Sequence, residues 1–292
     1  MDGPRFNQLT DPPRFLPLTA RLRLLLGGGA NQTGWFLLVL GLLAVKLLSA
    51  GGLFDDLPFT GDVQQTHGVI MGAFYTDFSE NERDVIELAF RFQADDGLEY
   101  SGFSYTVDTH FREGDTVQVE YLPLKPETAR VMGTRAAMIP LWLGVFLVIP
   151  FIGVLFLLGG QRRGWKWRRL LRDGEVASGR LVAQKDTGMK INEVPVIEYI
   201  FEFRTDDGDV HRASARTHKG EKLRDEGEET LFYDPRNPDD AVLVDGLPLA
   251  LTVDERGQWQ VGSTDRIFLK LNLVFPVVAV LMLLWIFGGG GA

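Results

Sequence analysis

The sequence predicts a membrane protein of α+β class: three transmembrane helices and two homologous small antiparallel β domains, each a sheet or a partly open barrel. Three observations lead there: three long apolar runs, the basic residues beside them, and an internal repeat in the polar stretches between them. The 292 residues are 45% hydrophobic, an ordinary average that hides strong segregation of apolar runs from acidic stretches.

A membrane-crossing helix needs about 20 apolar residues. The first run, 34–54, reads GWFLLVLGLLAVKLLSAGGLF, with one charge at Lys46. It starts too far into the chain and is too long for a cleaved signal, so a signal anchor is expected. The second, 136–160, carries no charge, and the third, 267–287, has Lys270 near its start. Pro150 and Pro276 fall inside runs and predict kinks. Trp35, Trp142, Trp165, Trp167 and Trp285 lie near the expected interfaces, where an indole is favoured.

Lysine and arginine beside the spans set orientation. Arg14, Arg21 and Arg23 precede the first span. Arg162, Arg163, Lys166, Arg168, Arg169 and Arg172 follow the second, and Arg266 and Lys270 mark the start of the third. All three flanks give the same answer. Segment 1–33 and region 161–266 are expected in the cytoplasm. Region 55–135 and the glycine-rich tail 288–292 are expected outside.

The two polar regions repeat each other. IELAFRFQADDGLEYSGF from Ile86 aligns with IEYIFEFRTDDGDVHRAS from Ile197, and Gly68 aligns with Gly179. Tyr121, Pro123, Pro126 and Ala129 return as Tyr233, Pro235, Pro238 and Ala241. Ile86, Leu88, Phe90 and Phe92 alternate with Glu87, Ala89 and Arg91, the period of a strand with one buried face. Asp96-Gly97 and Asp207-Gly208 then supply positive-φ hairpin positions. A Tyr-Xaa-Pro ends a later strand, because proline has no N–H for the ladder. Copies 68–131 and 179–244, of about five strands each, are expected, with opening strands 68–78 and 179–186. LPLALTVDERGQWQV adds one hairpin to the second copy.

Tyr199-Ile200-Phe201 running toward Asp207-Gly208, Gly114-Asp115-Thr116-Val117, and Tyr233-Asp234-Pro235-Arg236-Asn237-Pro238 carry a resemblance. With them the chain resembles a widespread class of bacterial membrane proteins catalogued as a domain of unknown function, a span followed by a short β domain. The likeness covers roughly half of the chain. The first copy departs at Phe90 and Leu122, and the second at Glu226-Gly227-Glu228-Glu229. The resemblance implies the bacterial cytoplasmic (inner) membrane; since the family has no assigned activity, it supplies no catalytic residue to carry over.

Several chemistries are excluded or unsupported. With no cysteine there is no disulfide, thiolate metal site or thiol nucleophile, and a net charge of −9 opposes nucleic-acid binding. His67, His110, His211 and His218 lack metal-ligand spacing and read as surface histidines. Asp95-Asp96 and Asp206-Asp207 read as turn residues, and the runs Gly27–Gly29 and Gly288–Gly291 as linkers, not phosphate loops. No catalytic, cofactor or metal residues are expected, and no small-molecule substrate is identifiable.

Two features invite function. Arg162, Arg163, Trp165, Lys166, Trp167, Arg168, Arg169 and Arg172 form a polybasic, tryptophan-bearing stretch suited to anionic lipid headgroups. Lys46 is an intramembrane charge, a functional candidate whose long side chain could also reach the interface. Segment 15–26 reads as a second interfacial helix limited by Pro17. The expected function is a non-catalytic scaffold, accessory subunit or signal-coupling protein. Its partners would be membrane lipids and other membrane proteins or further copies of itself. A subunit of an oligomeric transporter or channel, drawing on Lys46 and Asn272, is the alternative.

Orientation is directly testable. Reporter enzymes fused after positions 100 and 225 should signal from opposite compartments; signals from one compartment would refute the orientation.

Overall fold

The computed structural model describes residues 6–191, 193–217 and 228–288. His218, the Glu226-Gly227 pair and tail residues 289–292 lie outside them. The chain divides into two compact units, Leu40–Ile149 and Met1–Val39 with Pro150–Ala292. Its helices are α1 (Leu18–Leu26), α2 (Gly29–Ala50), α3 (Val148–Asp173) and α4 (Ser263–Gly288). Three helical segments, Gly29–Ala50, Leu141–Asp173 and Ser263–Gly288, are long and apolar enough to cross a membrane.

Helix boundaries differ from those read off hydropathy. α2 ends at Ala50, ahead of the expected limit, because Gly52 takes φ +74° and turns the chain while the Leu53 N–H bonds the Leu48 carbonyl at 3.0 Å. The second segment opens as a 3₁₀ helix, Leu141–Leu147, after Pro140. α3 then starts at Val148, so Pro150 sits in the first α-helical turn, where a missing N–H costs little. The basic stretch does not leave the helix as a juxtamembrane start to the β domain. Arg, Lys, Gln and Leu are good helix formers, and α3 continues through them to Asp173.

Unit Leu40–Ile149 holds β1 (Gln64–Glu80), β2 (Arg83–Gln93), β3 (Glu99–Thr106), β4 (Thr116–Leu122) and β5 (Lys125–Val131). Their order is β3-β2-β1-β4-β5, every pair antiparallel. The other unit repeats it with β6 (Glu175–Ile191), β7 (Val194–Arg204), β8 (Val210–Thr217), β9 (Glu228–Asp234) and β10 (Asn237–Leu243), in the order β10-β9-β6-β7-β8. β3 returns beside β5 and β8 beside β10, so each sheet is nearly closed. The added hairpin of the second copy pairs β11 (Leu251–Val253) with β12 (Trp259–Val261). The opening strands β1 and β6 extend beyond their expected limits at both ends.

The repeat holds at the level of single bonds. Both opening strands break register at matching places, Ile70/Gly72 with Tyr75/Ser79 and Leu181/Ala183 with Asp186/Lys190. At the second break the Thr76 hydroxyl donates to the Val85 carbonyl at 2.8 Å, and Thr187 to Val196 at 2.6 Å. Tyr121 Oη accepts the Asp95 N–H at 3.2 Å, and Tyr233 Oη accepts that of Asp206 at 3.4 Å. Those tyrosine rings lie 5.4 Å from Phe92 and 5.3 Å from Phe203. The Asp-Asp-Gly turn and the Tyr-Xaa-Pro ending are therefore two halves of one contact at the edge of the core.

Two turns depart from the expectation. In the β2–β3 hairpin only Gly97 has positive φ, +78°, and its N–H bonds the Ala94 carbonyl at 3.0 Å. Asp96 instead accepts the Leu98 N–H on its side chain at 2.9 Å, the aspartate role of an Asx turn. The two-residue turn with both positions at positive φ is Asn81 (+50°) and Glu82 (+65°), between β1 and β2. Its counterpart Glu193 lies at +65°, and Asn-Glu recurs in the sequence there.

Gly68 and Gly179 are fixed by close approach of neighbouring strands. A Cβ at Gly68 would stand 2.7 Å from Val119 Cγ2 and 2.8 Å from the Arg91 carbonyl; at Gly179, 2.8 Å from Leu231 Cδ2. Gly68→Ala and Gly179→Ala should each destabilise their own domain by about 1–3 kcal/mol, the usual penalty for overpacking. Gly61→Ala, 3.6 Å from its nearest neighbour, should be neutral. Thermal unfolding of the full chain in detergent checks this.

Candidate functional site

The basic end of α3 is divided between two faces. Lys166 pairs with Asp240 at 2.5 Å, and Arg169 pairs with Asp240 and also approaches Asp234 at 3.7 Å. These cations hold the β9–β10 hairpin rather than facing outward alone. Trp167 packs half-buried against the core beneath that hairpin, beside the buried Leu170 and Leu171. Arg162, Arg163, Trp165 and Arg172 are exposed, and the Arg168 guanidinium lies 4.9 Å over the Trp165 ring. Of the eight residues expected to meet headgroups, Lys166 and Trp167 are thus committed to packing, and Arg169 is shared.

Lys46 is half-buried near the end of α2. Four residues separate it from Ala50, about 6 Å of helix, which a lysine stem spans easily.

A polar centre that no local sequence pattern marks is built around α1. Segment 15–26 forms α1 from Leu18, directly after Pro17. α1 buries Ala20 and Leu24 against Leu170, Leu171 and Leu251, leaving Phe15 and Leu18 exposed. Its Arg23 is buried with Asp265 and Asn272 of α4. The guanidinium meets Asp265 Oδ1 at 3.1 Å and Asn272 Oδ1 at 3.0 Å, and also donates to the Pro248 carbonyl. The second Asp265 oxygen accepts the Ala250 N–H at 3.1 Å.

Immediately beyond Arg23, the last carbonyls of α1 have no partners in their own helix. Leu25 receives the Asn31 amide at 2.9 Å and the Gln161 amide at 3.0 Å. Leu26 receives the Gln32 amide at 2.8 Å. Side-chain amides from α2 and α3 thus cap α1, with Asn272 of α4 adding a 3.4 Å contact to Leu26. Asn272, one motive for a transport reading, is occupied in this packing. α2 and α3 cross at glycine: a Cβ at Gly153 would stand 2.8 Å from Leu38 N, and one at Gly34 2.9 Å from the Gly153 carbonyl.

In the unit Leu40–Ile149, an open groove of about 570 Å³ runs between Ala50–Asp55 and the facing edges of β3 and β5, past Phe103, Tyr105 and Lys125. Burial and a 2.9 Å bond to Glu87 push the Tyr105 hydroxyl up to about 12, so it stays a hydrogen-bond donor at neutral pH. On the outer face of β1–β3, Phe74, Phe103, Met71 and Val69 are exposed together. Gly72, Ala89 and Phe103 are in cross-strand register, and the Phe74 ring lies over Gly72.

His110 and His211 bond Asp108 at 2.6 Å and Asp239 at 3.1 Å, and no group of three or more metal-binding side chains occurs among the described residues. No family model matches the chain, and no curated protein is significantly similar to it.

Removing Arg23 should be costly. Arg23→Leu strands a buried carboxylate and should cost about 3–5 kcal/mol, whereas Arg23→Leu with Asp265→Leu should recover much of it. A double-mutant cycle of thermal unfolding in detergent measures both.

Proposed function

We propose that the protein is a non-catalytic membrane scaffold or accessory subunit whose two β domains bind protein partners on opposite faces of a bacterial cytoplasmic membrane. The observation carrying this reading is the outer face of β1–β3, where four apolar side chains stand exposed on neighbouring strands: Phe74 (58%), Phe103 (57%), Met71 (44%) and Val69 (41%). A contiguous exposed apolar patch on a domain is a common signature of a protein contact. The repeated motifs supply support of a different kind. Asp95, Tyr121 and Gly68, and their counterparts Asp206, Tyr233 and Gly179, are used inside the fold, so the duplication preserved a framework.

The two copies present different surfaces on that framework. At one cross-strand pair on β9–β10 the second copy carries Phe232 and Val242, which face the core formed with α1, α3 and the β11–β12 hairpin. The first copy has Glu120 and Arg130 there, a 3.0 Å ion pair extended to Asp56. This face is thus covered by apolar packing in one copy and by an ion-pair network in the other, which exposes its apolar side chains elsewhere. That fits a partner for the domain 55–135 that differs from any partner of 161–266. The lipid-facing remainder of the basic stretch (Arg162, Arg163 and Trp165) would hold the cytoplasmic side against anionic headgroups.

Chemical cross-linking in native membranes, followed by mild-detergent purification, tests the reading. The wild-type chain should carry a defined cross-linked partner or a second copy. Phe74→Ser with Phe103→Ser should reduce its recovery at least tenfold while leaving the unfolding midpoint unchanged. A wild-type chain recovered uncross-linked would refute the scaffold reading.

A further inference from the structure

Where the chain enters α1 it meets the far end of α3, and four arginines converge there. Arg14, Arg21, Arg168 and Arg172, with Pro13, Phe15 and Leu16, line a cavity of about 290 Å³. None of these lining residues is acidic. Arg14 is 7% exposed and rigidly placed: its Nε donates to the Thr10 carbonyl at 2.8 Å and Nη1 to the Gly174 carbonyl at 2.5 Å. Its backbone N–H bonds the Arg172 carbonyl at 2.7 Å, which ties the two sides of the cavity together. Arg21 is held by its Nε bond to the Leu16 carbonyl at 2.8 Å and lies 5.4 Å over the Phe15 ring.

We propose that Arg14, Arg21, Arg168 and Arg172 form a binding site for a phosphate-bearing ligand. A guanidinium fork matches phosphate oxygens in geometry as well as charge, and clustered forks on fixed stems are how proteins recognise such groups. Around the rim, Asp173 pairs with Arg172 at 3.2 Å, and Asp11 and Glu175 lie near Arg14. The burial of Arg14 nevertheless outweighs these carboxylates, lowering its pKa from the ordinary guanidinium value. An anion in the cavity would offset that desolvation.

Depth bears on where the phosphate comes from. Arg168 and Arg172 follow the apolar end of α3 at Gly160 by 8 and 12 residues, roughly 12 and 18 Å of helix. The headgroup layer is only about 5–8 Å deep on each side. With α3 upright, a phosphate in solution or on a protruding headgroup reaches the cavity more readily than a glycerol-linked one. Both sources share the chemistry that the four arginines read.

The test uses the full chain in neutral detergent, titrated with inorganic pyrophosphate by calorimetry. A parallel arm measures retention of phosphatidic acid against phosphatidylcholine by native mass spectrometry. Arg21→Gln with Arg168→Gln removes two cations without touching the buried Arg14. Arg180→Gln with Arg204→Gln removes two exposed cations from the β domain of the same unit, outside both the cavity and the basic stretch. The expected result is saturable binding in at least one arm, weakened at least tenfold by the first pair and unchanged by the second. Binding of pyrophosphate identifies a soluble source, and retention of phosphatidic acid alone identifies a lipid. Equal weakening by both pairs, or no binding in either arm, overturns the proposal.

Discussion

A guanidinium withdrawn from water must be met by fixed charge and fixed hydrogen bonds, and much of the second unit is arranged to do this for Arg23. Asp265 supplies the charge, Asn272 and the Pro248 carbonyl supply further acceptors, and Ala250 holds the carboxylate from behind. These contacts fix α1 to the start of α4 and to the connection that precedes β11. Once α1 is fixed, its final carbonyls stand among helices, and Asn31, Gln32 and Gln161 must reach them. Breaking the ion pair therefore unsettles a set of polar groups already partly withdrawn from water.

The two β domains show how one framework accepts different surroundings. Their shared elements are those that geometry demands: the tight glycine on the opening strand, the paired register breaks, and the tyrosine reaching the aspartate turn. What differs lies on faces that the framework leaves unconstrained. Exchanging a largely buried ion pair, Glu120–Arg130, for Phe232 and Val242 replaces a polar cover, completed by Asp56 and Phe59, with one that must be apolar. α1, the end of α3 and the β11–β12 hairpin provide that cover within the second unit, with Trp259 donating its indole N–H to the Leu171 carbonyl at 3.3 Å.

The candidate sites were only partly legible in the sequence. The charge run in α3 is plain to see, but a helix distributes neighbouring residues around its axis. Lys166 and Arg169 reach Asp240; Arg163 is turned from that face, and Arg162, on it, lies about one to two turns nearer the apolar end. Arg14 and Arg21 read as orientation signals, because nothing in a linear pattern brings them beside Arg168 and Arg172. Arg23 and Asp265 are 242 residues apart. Their pairing leaves no local trace, although a lone aspartate beginning an apolar helix was a signal that could have been followed.

By itself the sequence determined three apolar helices, two copies of one β domain, their central hairpins and their proline-terminated strands. These follow from local rules: the length needed for a span, period-two alternation, and the backbone limits of glycine and proline. Tertiary structure decided what those rules do not reach. It brought the two sheets nearly to closure, continued α3 through its basic stretch, and buried one face of α1 among residues of α3 and β11. Each of these depends on contacts between residues distant in the chain, whose free energy exists only once the partners meet. The three apolar helices and the repeated domain accordingly gain a definite interior: a polar knot of Arg23, Asp265 and Asn272 in one unit, and a nearly closed sheet with exposed apolar side chains on its outer face in the other.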